Sequence, residues 1–161
     1  MKYLYLIRHG KSEGEVGPEG DFARLLNEQG EHDVPLVANR VKELPNSVES
    51  LFTSPARRAR RTADLIAEIA EIPNIVEIDE LYNYPGAIIS VIREFEDGIP
   101  SAGVVMHNPS ATDTANELGD QTIENLPTSG LCVIRFDVDR WAEITRGITE
   151  LVEYPKLWIT K

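Results

Sequence analysis

A chain of 161 residues, 42% hydrophobic and 27% charged, can bury a core without disulfides or metals and lies in the ordinary globular range. Its formal charge of −11 repels nucleic acid and anionic lipid, which argues against general binding to either. The one cysteine, Cys132, has no partner for an internal disulfide, so a reducing, cytoplasmic setting is expected; no apolar run approaches the length of a secretory core or a membrane span.

Residues 3–7 (Tyr-Leu-Tyr-Leu-Ile) read as a buried strand that stops at Arg8, His9 and Gly10. Gly10 lets the backbone bend where a bulkier residue would clash. His9 is therefore expected just past a strand end, where open α/β sheets bind ligands. Residues 11–24 read as a surface loop draped near that cleft. A helix with Leu36, Val37, Val41 and Leu44 on its inner face follows, tolerating Pro35 only in its first turn and stopping at Pro45. Residues 50–53 form a second strand. Ser54 and Pro55 then look like the N-cap and first residue of a helix over 55–71, with Ala59, Thr62, Ala63 and Ile66 inward.

Four arginines, Arg57, Arg58, Arg60 and Arg61, crowd the start of that helix, where the dipole disfavours cations. Either they pair with this acidic chain, or at least one completes an anion site at the helix start. A third strand is expected at 75–78, a loop at 79–86, and a helix at 87–95. The strand at 102–106 runs into His107, Asn108 and Pro109, so a second strand ends in a histidine before a helix that runs to Leu118. A loop over 124–129, a strand at 131–136, a turn at 137–141 and an antiparallel return at 148–153 complete the chain. The alternation predicts one α/β domain over 1–161: a three-layer sandwich with a mainly parallel central sheet and an antiparallel edge.

If the two histidine-ended strands are parallel neighbours, His9 and His107 share one cleft with Arg8 and an arginine near Ser54. Such a set suits phosphoryl transfer, which needs positioning and charge stabilisation at the phosphoryl oxygens. His32 lies among polar residues and reads as surface. No cluster has zinc-ligand spacing, Cys132 sits inside an apolar strand, and both the Gly-x-Ser-x-Gly elbow and a complete P-loop are absent.

The stretches Leu6-Ile7-Arg8-His9-Gly10-Lys11-Ser12, Thr53-Ser54-Pro55-Ala56-Arg57-Arg58-Ala59-Arg60-Arg61-Thr62 and Val104-Val105-Met106-His107-Asn108-Pro109 resemble the three signatures of the histidine phosphatase superfamily. Asp21-Phe22-Ala23-Arg24-Leu25-Leu26, the Gly30 helix start, Leu126-Pro127-Thr128-Ser129 and Asp139-Arg140-Trp141 make the chain similar to its small SixA-type phosphohistidine phosphatases. The resemblance covers nearly the whole length and implies the phosphoglycerate-mutase-like fold without an inserted cap. It implies His9 as the phosphorylated nucleophile, Arg8 and Arg58 as phosphate ligands and His107 as the second pocket histidine. Arg24 resembles an arginine at the substrate entrance.

No metal or cofactor is implied. The partner would be a phosphorylated protein histidine, such as one on a phosphotransfer domain, or a small phosphorylated molecule. Many family members carry a glutamate after the third strand that protonates the leaving oxygen; Asn83 stands there and Glu80 is out of register. An alkoxide needs such an acid, whereas imidazole leaves with little help. The expectation is thus a phosphohistidine phosphatase acting through phospho-His9. Its rivals are a phosphomonoesterase using Glu13 or Glu80 as acid, and a silent phosphate-binding module.

Overall fold

The computed structural model describes residues 1–14 and 20–159; the 15–19 portion of the expected 11–24 loop lies outside the described residues. Six strands, β1 (Lys2–Arg8), β2 (Ser50–Thr53), β3 (Asn74–Glu77), β4 (Ser101–Met106), β5 (Leu131–Phe136) and β6 (Ile148–Glu153), form one sheet in the order β3-β2-β4-β1-β5-β6. β1 to β4 run parallel, while β5 is antiparallel to β1 and β6 to β5. This is the expected mainly parallel sheet with an antiparallel edge.

Alternation along the strands supplies two cores. Tyr5, Ile7, Leu51 and Val105 face α1 (Glu28–Glu43) and α2 (Arg57–Ala70). Leu4, Leu6, Val104 and Met106 face the opposite layer, built from α4 (Ile88–Arg93) and α5 (Ser110–Leu118), with the short α3 (Glu80–Asn83) beside it. A last short helix, α6 (Pro155–Ile159), contacts α1 and is an element the sequence reading left out. Burial on both faces explains why the central strands are near-continuous apolar runs.

The topology makes the cleft. β1 lies directly beside β4, with Arg8 opposite Met106, although the chain between them makes two other strands. The segment leaving β1 reaches α1 on one face; the segment leaving β4 reaches α5 on the other. Two neighbouring strands whose continuations part to opposite faces leave a crevice at their carboxyl ends. His9 and His107 are the first residues into it.

Several local expectations yield to packing. Pro35 lies well inside α1 rather than in its first turn, which begins after Asn27, whose side chain caps the Gly30 N–H at 2.9 Å. The missing backbone donor is offset because α1 buries Val34, Val37, Ala38 and Val41 against α2. Val37 and Val41 face inward as expected and Leu44 packs beside them, but Val34 and Ala38 join them and Leu36 is only half-buried. Ser54 is not a helix cap either, since α2 begins at Arg57 with no side-chain capping bond. The expected 79–86 loop contains α3, and Glu71 ends α2 in the left-handed conformation at φ 58°.

Two glycines are required by close approach rather than by unusual dihedrals. A Cβ at Gly10 would strike the Val34 side chain, and one at Gly30 would strike the Lys11 carbonyl. The start of α1 is thereby pressed against the backbone just beyond His9.

Candidate active site

His9 is 6% exposed, and its backbone is clamped by its N–H to Met106 O at 3.1 Å and by Ser129 N–H to its own carbonyl at 3.0 Å. Its Nδ1 lies 2.7 Å from Gly10 O, an acceptor that places the ring proton on Nδ1. Nε2 therefore carries the lone pair, and Arg58 Nε donates to it at 3.4 Å. Burial, joined by the charges of Arg58, Arg8 and Arg24, pushes the His9 pKa down to about 4, against an opposing bond to Gly10. The imidazole is thus neutral at physiological pH and holds an unprotonated nitrogen toward a cationic pocket.

His107 stands beside it, with ring centroids 5.0 Å apart. Arg58 Nη2 donates to its Nδ1 at 3.2 Å, which leaves Nε2–H to donate to Ser54 Oγ at 2.7 Å. Burial, then His9 and Arg58, depress its pKa to about 3. Ser54 also accepts from Ala56 N–H at 3.2 Å, so the hydroxyl read as a cap orients His107 instead.

Of the four arginines, burial selects one. Arg58 is 4% exposed and contacts both histidines, while Arg60 pairs with Asp64 and Glu77, Arg61 with Glu31, and Arg57 is exposed. The threonine four residues beyond Arg58 ties this helix to the nucleophile: Thr62 Oγ1 donates to Arg58 O at 2.7 Å and accepts Gly10 N–H at 3.0 Å. Arg8 reaches Leu126 O with Nη1 at 3.1 Å, and its buried Nε has no partner among the described residues. That leaves donor capacity for an anion.

Asp21, which sequence reasoning did not single out, organises the mouth. Its Oδ1 accepts from Arg24 Nε at 3.0 Å and Nη2 at 2.8 Å, and its Oδ2 accepts from Arg58 Nη2 at 3.0 Å and Tyr82 OH at 2.8 Å. Its carbonyl oxygen takes Arg58 Nη1 at 2.7 Å. A carboxylate has about four acceptor positions, so this one is saturated. Burial raises the Asp21 pKa, but the bonds from Tyr82, Arg58 and Arg24 outweigh it and hold the carboxyl well below the usual range. Its sequence signals were an acid three residues ahead of Arg24 and a place at the head of the 21–26 stretch that carries the family resemblance. Tyr82 also packs edge-on against His107 at 5.4 Å.

These groups line a cleft of about 660 Å³. Arg8, His9, Arg24, Arg58 and His107 all border it. Arg24 is largely spent on internal bonds, since Nη1 also donates to Ser12 Oγ and Glu13 O, each at 3.1 Å. The amides at the start of α2, expected to hold the phosphoryl group, do not border it, because α2 starts too late and Ala56 N–H is already satisfied by Ser54. Neither Glu13 nor Glu80 lines the cleft; Glu80 faces a separate groove along β3. Among the described residues the sole lining carboxylate is Asp21, and no group of three or more His, Cys, Asp or Glu is placed to hold a metal. His32 is on the surface and Cys132 is buried, its pKa pushed up to about 12 by burial. Among the described residues no helix is long and apolar enough to cross a membrane.

Comparison with known proteins bears on the family and the fold. The sequence model of the histidine phosphatase superfamily (branch 1) matches residues 4–83, which hold Arg8, His9 and Arg58. A solved structure of a protein from Agrobacterium tumefaciens, named for the phosphohistidine phosphatase SixA, aligns with a TM-score of 0.81 at 28% identity, covering 96% of this chain and 98% of that one. An uncharacterized Picosynechococcus protein is 29% identical over 97% of this chain and 98% of its own length. A Photorhabdus laumondii protein named as phosphoglycerate mutase GpmB is 40% identical, but that match spans 48% of this chain and only 36% of the relative. Residues 4–83 thus match the histidine phosphatase superfamily, and the structure matches a SixA-named protein over nearly its whole length.

Proposed function

We propose that the chain, as one catalytic domain, is a phosphohistidine phosphatase working through phospho-His9. The Nε2 lone pair attacks phosphorus in line as the bond from phosphorus to the substrate nitrogen breaks. The bonding pair stays with the departing imidazole; if its other nitrogen already carries a proton, it leaves neutral. Water then attacks phosphorus as the phosphorus–nitrogen pair returns to Nε2, and both water protons stay on the product, giving neutral His9 and dihydrogen phosphate. Arg8 and Arg58 oppose the charge on the transferring oxygens, and His107 stands within reach of the same group.

The observation that carries the reading is that the sole carboxylate lining the cleft among the described residues, Asp21, is saturated and ionised. An alkoxide leaving group requires a proton that this carboxylate does not hold, whereas a phosphohistidine whose other ring nitrogen is already protonated releases neutral imidazole without one. Kinship to a phosphoglycerate mutase keeps a small phosphate ester as the second reading. Residues 8, 9, 58 and 107 are assigned to catalysis, and Arg24 to the entrance. A single buried thiol suits a cytoplasmic setting.

Rapid quenching after mixing with phosphoramidate, followed by intact mass, tests the mechanism. A transient gain of one phosphoryl group and phosphate release are expected in the wild type, and neither in His9→Ala. Turnover of phosphate esters faster than of phosphoramidate would transfer the assignment to the ester reading.

A further inference from the structure

The catalytic cleft does not end at its phosphate ligands. Pro85, Pro109 and Ser110 line it and also line a second groove of about 380 Å³ that runs between α4 and α5. Ile88, 1% exposed, and the half-buried Ile89 give that groove an apolar wall. Asp113 and Glu117, both exposed on α5, border it, and among the described residues neither has an ion pair. The larger groove along β3, about 800 Å³, shares no residue with the cleft and so has no such continuity.

Three exposed apolar side chains neighbour cleft-lining residues in the chain. Phe22, Leu25 and Tyr84 are 41%, 46% and 59% exposed, and each is adjacent in sequence to a cleft-lining residue. Phe22 packs edge-on against Tyr82 at 5.4 Å, which holds it beside the mouth. An exposed apolar side chain held at the mouth of a cleft suits a larger partner than a small phosphate.

We propose that the α4–α5 groove docks the polypeptide flanking the phosphohistidine, seating an apolar side chain against Ile88, Ile89 and Pro109 and a lysine or arginine opposite Asp113 and Glu117. This rests on the phosphohistidine phosphatase reading and gives it a substrate class: a protein segment that is basic and apolar beside its phosphorylated histidine. The charge pattern is complementary along the substrate. The phosphoryl group meets arginines and the flank meets carboxylates, so a segment with an acidic flank is repelled at the groove although its phosphoryl group is still attracted.

The test measures kcat/KM for phosphoramidate and for two chemically phosphorylated histidine peptides, one with leucine and lysine flanks and one with serine and aspartate flanks. The basic, apolar peptide is expected to exceed the acidic one by about 10-fold in the wild type. In the Asp113→Lys/Glu117→Lys protein the preference should fall to about 2-fold or reverse, with phosphoramidate turnover unchanged. Ile89→Ser should lower turnover of the basic peptide while leaving phosphoramidate as it was. Equal kcat/KM for both peptides in a wild type that hydrolyses phosphoramidate would overturn the docking groove alone. Variants that slow phosphoramidate as much as peptide would also overturn it, since the change would then lie in the catalytic centre. Absence of turnover on all three would overturn the phosphatase reading and the docking proposal with it.

Discussion

Replacing Asp21 by asparagine separates two effects that the carboxylate exerts on the same pocket. The carboxylate holds Arg58 and Arg24 side by side through four side-chain bonds, counting the one from Tyr82. Asparagine offers one oxygen, so its amide nitrogen must face either the Arg24 fork or Arg58 Nη2, donor against donor. Hydrogen bonds to charged groups contribute about 1.5–3 kcal/mol each when sheltered. The side chain is 38% exposed, and solvent screening reduces the combined loss to about 1–2 kcal/mol. If that loss falls on the positioning of Arg58 in the transition state, kcat falls about 5- to 30-fold. Removing an anion beside a phosphate pocket acts oppositely, but it favours bound substrate and transition state alike. That part lowers KM without raising kcat. Steady-state kinetics on phosphoramidate should therefore show a reduced kcat with an equal or smaller KM, and inorganic phosphate should inhibit at least as well as in the wild type. An unchanged kcat in a folded Asp21→Asn protein would refute the positioning role.

His9 and His107 are neutral in the fold until about pH 4 and about pH 3, but titrate near 6.5 when unfolded. Between pH 6.5 and 4 the unfolded chain binds more protons, so their contribution to stability is fully present above 6.5 and is lost on acidification. The slope is up to about 1.4 kcal/mol per pH unit for each histidine, and urea titrations across that range should reveal it. The acid limb of kcat/KM should also lie near 4; a limb at 6 to 7 would contradict a nucleophile kept neutral by burial. Pro35→Ala gives the interior of α1 back a backbone donor at a half-buried position. After the entropy of a freer unfolded chain is deducted, stability should rise by about 1 kcal/mol, or about 2–4 °C in Tm, in a thermal melt. A lowered Tm would mean that the proline ring packs better than its exposure suggests.

Asp21 and Asn83 together bear on the proposed choice of leaving group. Where an ester hydrolase needs a protonated acid, Asn83 donates to Asp79 at 2.7 Å and the neighbouring Tyr82 donates to an aspartate that is itself held ionised. The local chemistry supplies acceptors already filled and donors already engaged. The proposed phosphohistidine reading rests on this arrangement, since its leaving group departs without a new proton when the ring is already protonated.

His9, Arg8, His107 and the helix bearing Arg58 were legible in the sequence because each sits at a boundary that local chemistry marks: an apolar run ending in charge, or a serine and proline ahead of a helical period. The strand and helix order followed from the same periodicities, within a residue or two at β3 and α2. Local signals misled where two structures share one signal. Ser54 ahead of Pro55 looks the same whether it caps a helix or accepts from His107, and Pro35 looks like a terminus until the packing of Val34 and Ala38 outweighs its missing donor. Choosing Arg58 among four arginines needed the family resemblance or the fold, because only burial against His9, His107 and Asp21 distinguishes it physically. Asp21 joins Tyr82 across 61 residues of chain, and no period or spacing records such a meeting. The sequence by itself thus determined the six strands, the longer helices and the chemistry they carry to the strand ends. Only the tertiary structure decided that β1 lies beside β4, which arginine is sheltered from water, and which carboxylate holds it, because adjacency and desolvation arise from contacts between distant segments.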